Sequence, residues 1–278
     1  MSIETSRRGF LAGASGVAAA IATPAAPPAA GEEDLKLGVA SYSFREFSRR
    51  MMINGLKALR TPYLSVKEFH LSYRSTPEEL AKARQEFDKA GLKILSCGNN
   101  TMVKDDDADI ESYFKYAKGF GCPMLIIAPT EQTMVKIEKL AIKYDIKAAI
   151  HNHGPEDKRF PSPRSALKVV RNMDPRCGLC IDVGHTTRTG DDILESIKEA
   201  GSRLIDVHIK DLRDLMGKDS QCDVGDGVMP IVQIFKLLKS MRYAGGVMIE
   251  YEINADNPLP GMQRSFSYMR GVLAGLHG

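Results

Sequence analysis

An α/β fold of the (β/α)8 TIM-barrel class is predicted from three observations. From Leu35 onwards, eight short runs rich in Val, Ile and Leu alternate with eight amphipathic stretches, the pattern of buried parallel strands crossed by helices. The chain has 278 residues, and α/β barrels of about 250 residues fold as one domain. Five of the six His residues (His70, His151, His153, His185 and His208, but not His277) stand at or just past the C-terminal end of a predicted strand. That end carries the active site in such barrels. Strict alternation also suits an open doubly wound sheet, but no Gly-x-Gly-x-x-Gly follows the first strand, so dinucleotide binding is not supported.

Each unit has its own signals. The first strand, 37–42, leads to a helix over 46–59. The second, 66–70, ends in Lys67-Glu68-Phe69-His70; its helix, 77–90, opens at Ser75-Thr76-Pro77-Glu78-Glu79 and closes at Ala90-Gly91. The third, 93–96, precedes Asn99, Asn100 and a helix over 108–119. The fourth, 124–128, is followed by a helix over 132–144. The fifth, 147–151, runs into His151-Asn152-His153-Gly154, a long segment to Pro163, and a helix over 165–172. The sixth, 178–182, ends at Asp182; its helix, 192–200, takes Asp191 or a neighbour as cap and Gly201 as stop. The seventh, 204–209, and eighth, 246–251, are followed by helices over 231–241 and 262–273. No internal repeat and no linker splits residues 31–278.

Residues 1–30 are expected to be a twin-arginine signal segment. Ser6-Arg7-Arg8-Gly9-Phe10-Leu11 precedes a weakly apolar Ala/Gly stretch and a Pro-rich region of small residues. The expected location is therefore periplasmic or extracellular. No later apolar run reaches the roughly 20 residues of a membrane span, so no membrane partner is expected for the mature chain. The formal charge of +3, without a long basic block and without Trp, gives no reason to expect nucleic acid. Five Cys residues are too odd a number for a full disulfide framework, and Cys177-Gly178-Leu179-Cys180 runs into an apolar strand. Both of its thiols are read as buried small residues.

Chemistry collects at four consecutive strand ends. His151, Asp182, His208 and Glu250 supply imidazole nitrogen and carboxylate oxygen, a set that suits a borderline or hard divalent ion with positions left for substrate oxygens. One ion is expected at the barrel axis, with Mn, Mg, Co and Zn all open. Alternation along a strand puts His151 with His153, His208 with Lys210, and Glu250 with Glu252 on shared faces. Glu250, His185, Lys210 and His153 are the catalytic candidates. Lys210 serves equally as a salt-bridge partner, and His153 as a loop His bonded to a carbonyl. Glu68, His70 and Arg188 are candidates for holding substrate, beside plainer roles in a polar network or a solvated loop.

The runs Ile181-Asp182-Val183-Gly184-His185, Val207-His208-Ile209-Lys210-Asp211, Val224-Gly225-Asp226-Gly227 and Ile249-Glu250-Tyr251-Glu252 together resemble the xylose isomerase-like TIM-barrel family. That family includes sugar phosphate isomerases and epimerases, tagatose and allulose 3-epimerases, inosose dehydratases and apurinic-site endonucleases. The resemblance implies one divalent ion held by a Glu on strand five, an Asp on strand six, a His on strand seven and a Glu on strand eight. Asp182, His208 and Glu250 fall on three of these positions, and His185 on one that contacts substrate oxygens. His151 falls where the first Glu is expected, followed by the family's Asn-His pair as Asn152 and His153. Epimerases of the family use two metal-bound Glu, one on each face of the substrate. A metal-bound His has no free lone pair and cannot take the place of one of them.

The resemblance thus implies a metal-dependent sugar isomerase or epimerase that removes a proton beside a polarised carbonyl. A lyase acting by β-elimination on a keto-sugar or keto-glycoside is the first alternative, and the change at position 151 leans toward it. A non-catalytic sugar-binding protein is the second. An endonuclease needs three metals and more ligands than the sequence offers. The expected partner is a small-molecule sugar or sugar derivative, and the resemblance also admits a homodimer.

Overall fold

The computed structural model describes residues 35–277, so the signal segment expected over 1–30 lies outside the described residues. In chain order the elements are β1 (Lys36–Ala40), α1 (Arg49–Leu59), β2 (Tyr63–Val66), α2 (Pro77–Lys89), β3 (Lys93–Met102), α3 (Asp107–Phe120), β4 (Met124–Pro129), α4 (Glu131–Tyr144) and β5 (Lys147–His151). There follow α5 (Pro163–Val170), β6 (Cys177–Asp182), α6 (Val183–Arg188), α7 (Ile193–Ala200), β7 (Leu204–Ile209), β8 (Asp211–Leu212), β9 (Gln221–Cys222), α8 (Ile231–Ser240), β10 (Gly246–Ile249) and α9 (Leu259–Gly275). Eight parallel strands close into a barrel in the order β1-β10-β7-β6-β5-β4-β3-β2. β8 and β9 form a separate antiparallel pair.

Strand alternation divides the interior in two. Outward residues such as Cys177, Leu179 and Ile181 on β6 pack with Phe87, Phe114, Phe235 and Phe266 from the helices in the main core. Inward residues Met124, Ile126, Ala149 and Cys180 form a smaller cluster inside the barrel. Cys177 and Cys180 therefore lie on opposite faces of one strand, and all five thiols are free and buried. Helix starts follow local chemistry. Thr76 and Glu79 form a capping box at α2, and Asp192 caps α7 by accepting from Leu194 and Glu195.

Four details depart from the expected elements. The first strand stops at Ala40, because Ser41–Phe44 makes a 3-10 turn. The second strand is Tyr63–Val66 rather than 66–70, since Ser65 is buried within it and the chain turns at Lys67. The third continues to Met102 through a bulge between Cys97 and Asn100. There Gly98 has φ of +130°, and Asn100 Nδ2 donates to the Cys97 and Ile126 carbonyls. The short helix α6, directly after β6, was not expected.

Candidate metal centre

The C-terminal ends of β5, β6, β7 and β10 bring His151, Asp182, His208 and Glu250 together, all buried, with one ligand-type atom from each within 4.8 Å of the others. His151 Nε2 lies 3.0 Å from His208 Nδ1, 3.8 Å from Asp182 Oδ2 and 3.9 Å from Glu250 Oε2. His208 Nδ1 lies 3.2 Å from Glu250 Oε2. Bonds of about 2.1 Å to one ion would set neighbouring ligand atoms roughly 3.0–3.4 Å apart, so two of these spacings already suit a single small cation and the two from His151 to the carboxylates would have to close by about half an ångström. Asp182 Oδ2 is buried without a hydrogen bond, and its charge is met by the Lys210 ammonium 3.0 Å away. Burial first, then His208 and His153, push the His151 pKa well down, which keeps its lone pair available. For Glu250, burial opposes ionisation, but His208 and Lys210 outweigh it and hold the carboxyl well below the usual range.

Lys210 is the fixed cation of this cluster. Its Nζ is 3.0 Å from Asp182 Oδ2, 3.6 Å from Glu250 Oε2 and 2.7 Å from Glu252 Oε2. Burial works against its charge, yet Asp182, Glu252 and Glu250 carry its pKa above the ordinary value. Gly184 makes room for its stem, since a Cβ there would stand 2.7 Å from Lys210 Cγ. That contact accounts for a glycine between Asp182 and His185.

A second group of polar residues flanks the four. The rings of His153 and His185 lie 4.5 Å and 6.0 Å from that of His151, and 5.6 Å from each other. Arg188, on α6, pairs with Glu156 and places Nη1 3.3 Å from His185 Nδ1. His153 faces Asn99 Nδ2 at 3.3 Å and Asp157 at 3.8 Å. His153, His185, Arg188, Glu156 and Asp157 line a pocket with Lys158, Arg159 and Lys218.

The structure does not gather Glu68 and His70 into this site. With β2 ending at Val66, both ring nitrogens of His70 turn back to Ser41 Oγ (3.0 Å) and the Phe44 carbonyl (3.2 Å). Glu68 is exposed and shares a separate groove with His70, Arg49 and Ser72.

Sequence reasoning assigned no site role to three residues near the centre. Glu252 completes the Lys210 cluster, and its alternation with Glu250 was the available signal. Asn152 points away from the two His that flank it in sequence. Its side chain accepts from Asp182 N and donates to Thr186 Oγ1, tying the ends of β5 and β6 together. Lys67, directly after β2, turns its ammonium over the Tyr42 ring at 5.3 Å. Burial lowers its pKa against the charge of Glu250.

Comparison with known proteins agrees with this architecture. A family model described as xylose isomerase-like TIM barrel matches residues 58–272, and the chain belongs to that family. An inosose dehydratase from Mesomycoplasma hyopneumoniae is 25% identical over 162 residues, which cover 51% of this chain and 53% of that protein. The chain thus spans about half the length of the curated relatives it matches. Among solved structures, an uncharacterized protein from Parabacteroides distasonis has a TM-score of 0.68 at 25% identity, covering 86% of this chain and 99% of the other. A 3-keto-D-glucoside 4-epimerase from E. coli has a TM-score of 0.70 at 13% identity, covering 86% and 100%. The chain thus has the fold and family of xylose isomerase-like TIM barrels, and the proteins it resembles include epimerases and dehydratases.

Proposed function

We propose that the chain is an exported, divalent-metal-dependent enzyme of the sugar isomerase and epimerase kind, which removes a proton from carbon next to a carbonyl. The observation that carries this reading is the convergence of His151, Asp182, His208 and Glu250 at the mouth of the barrel. A bound divalent ion would supply Lewis acidity to a substrate carbonyl and an adjacent hydroxyl. The protein's own residues do the rest. Asp182 and Glu250 bring negative charge, and the neutral imidazoles bring lone pairs. Lys210 offsets the surplus carboxylate charge. His153 and His185 stand where substrate hydroxyls reach and can donate or accept hydrogen bonds. Arg188 holds the His185 side of the pocket in place.

Elimination is the second reading, and the residue that favours it is His151. With imidazole where the family has a Glu, no matched pair of carboxylates faces the substrate from both sides. A proton removed on one side then leads to expulsion of a β-oxygen more readily than to return on the other side.

The test is the metal content of the purified protein beside Asp182→Ala and His151→Glu. About one divalent ion per chain is expected in the wild type, and loss of it in Asp182→Ala. His151→Glu should keep the ion and gain epimerisation of ketoses relative to elimination. A metal-free wild type that is fully folded would sink the proposal and leave a sugar-binding protein ahead.

A further inference from the structure

Arg188 is a guanidinium buried at the barrel mouth with a donor left over. Its side chain is only 7% exposed. Nη2 donates to Glu156 Oε1 and Nη1 faces His185 Nδ1, while Nε is buried without a partner. Nε and Nη2 form one planar edge of the guanidinium, which can meet both oxygens of a carboxylate in parallel. Glu156 fills half of that edge. A buried donor without an acceptor is costly, and beside a pocket it points to an acceptor from outside the chain.

Three segments bring positive charge to this place. Arg188 ends α6, Lys158 and Arg159 follow β5, and Lys218 lies between β8 and β9. The pocket they line has a volume of about 560 Å³, a size that suits a small molecule. Its carboxylates are Glu156 and Asp157, so four cations face two anions. Asp157 is shared between Arg159 and His153, and among the described residues neither Lys158 nor Lys218 pairs with a carboxylate. The Glu156 side chain is 45% exposed, so the acceptor now on Arg188 is open to displacement from the solvent side. Gly154 lets these groups converge. Its φ is +81°, and a Cβ there would stand 3.3 Å from Arg188 Nη1 and 3.4 Å from both Glu156 Oε2 and His185 Nδ1. The pocket adjoins the metal cluster, since the His185 ring that meets Arg188 lies 6.0 Å from the ring of His151.

We infer that Arg188 binds a substrate carboxylate, so that the substrate class is a sugar acid with its carboxylate at the far end of the carbon chain from the carbonyl. This deepens the proton-abstraction reading above and rests on it for the carbonyl end. Glu156 holds the guanidinium edge in the free protein. The substrate carboxylate replaces it, and Nε and Nη2 then each meet one oxygen. The exposed Lys158 and Lys218 add a longer-range attraction that salt screens. A neutral sugar brings no charge to Arg188 and leaves Glu156 in place. A carboxylate fits better than a phosphate for two reasons. The group it replaces is itself a carboxylate, and His185, 3.3 Å from Nη1, leaves a planar edge rather than the space around a tetrahedral phosphate.

The test compares three probes with one carbon skeleton: D-fructose, D-fructuronate and D-fructose 6-phosphate. Calorimetry measures their binding to zinc-loaded and to chelated protein, so that a carboxylate held by the ion is told apart from one held by Arg188. Fructuronate is expected to bind about 10–100-fold more tightly than fructose in both forms. Arg188→Met and Arg188→Lys are expected to lose that preference, since an ammonium keeps the charge but not the fork. Glu156→Ala leaves Arg188 intact and removes its internal competitor, so fructuronate is expected to bind roughly 3–10-fold more tightly than in wild type. A pair that merely ties the segment after β5 to α6 would give no such gain, and unchanged or weaker binding in Glu156→Ala overturns the inference. Equal affinity for fructose and fructuronate overturns it too, as does fructose 6-phosphate bound as tightly as fructuronate. The second measurement needs no turnover. In chelated protein with 15N-labelled arginine, the Nε resonance missing from Arg188→Lys is expected to shift on adding fructuronate and to stay in place on adding fructose. An Nε resonance that fructuronate leaves unmoved counts against Arg188. A protein that takes up no zinc yet prefers fructuronate through Arg188 ends the metal-dependent reading and leaves the carboxylate subsite standing. Zinc-loaded protein without that preference does the reverse.

Discussion

Asp182 shows how much one side chain does at this site. Its Oδ1 accepts from His185 N at 2.8 Å and caps α6, while Oδ2 faces His151 and Lys210. The motif around it was legible because each residue type carries a separate demand: carboxylate, glycine under the Lys210 stem, imidazole. Lys210 was harder to place, since a lysine at a strand end is equally a substrate contact or a salt bridge. Its three carboxylate partners make its removal informative. In Lys210→Met without metal, Asp182, Glu250 and Glu252 lose their common cation, at a cost of roughly 3–5 kcal/mol for a broken buried pair. A divalent ion restores positive charge at the same place. The gain in Tm on adding manganese is therefore expected to be larger in Lys210→Met than in wild type, measured by thermal melts with and without chelator. Equal gains would mean that Lys210 and the ion do not share the carboxylates.

At the scale of elements, boundaries were legible where a short, mostly apolar run carries a ligand-type residue at or next to its C-terminal end. β5 and β7 start and stop where their sequences say. β2 was misplaced because its buried Ser65 breaks the apolar run and Phe69, though aromatic, is 59% exposed in the following turn. The bulged β3 was read short, since its far half, Cys97 to Met102, contains Gly98 and two Asn, of which Asn100 reaches the Ile126 carbonyl on β4. The segment after β7 has an organiser that pattern alone does not reveal. Asp211, buried, accepts from the backbone N–H groups of Leu212, Gly225, Gly227 and Met229. Gly227 has to be glycine, because a Cβ would stand 2.2 Å from Asp211 Oδ1. Asp211→Ala leaves those donors, of which Leu212 and Met229 are buried, without a common acceptor and is expected to cost roughly 2–4 kcal/mol. Urea melts would measure the loss, and limited proteolysis is expected to cut first within residues 223–229. Unchanged stability would show that water or other groups replace the carboxylate.

At the scale of the whole molecule, the centre joins four neighbouring staves of a closed barrel, so a bound ion acts on the fold as well as on chemistry. An unfolded chain offers no such convergence, and binding free energy therefore adds to folding free energy. At free ion about 1000-fold above its Kd the gain is about 4 kcal/mol. For a barrel of this size each kcal/mol moves Tm by roughly 2–4 °C, which predicts a rise of about 8–16 °C, absent in Asp182→Ala. The sign of its pH dependence follows from His208. Burial opposes protonation of that ring, but Glu250 outweighs burial and raises its pKa in the metal-free protein. Below that raised pKa a proton occupies the nitrogen the ion needs, so acidification must shrink the ion's stabilisation, and binding near the pKa must release protons. Calorimetric titration in buffers of different ionisation enthalpy measures that release. Metal binding that is independent of pH across the His208 transition, or a Tm rise that survives in Asp182→Ala, would place the ion elsewhere on the protein.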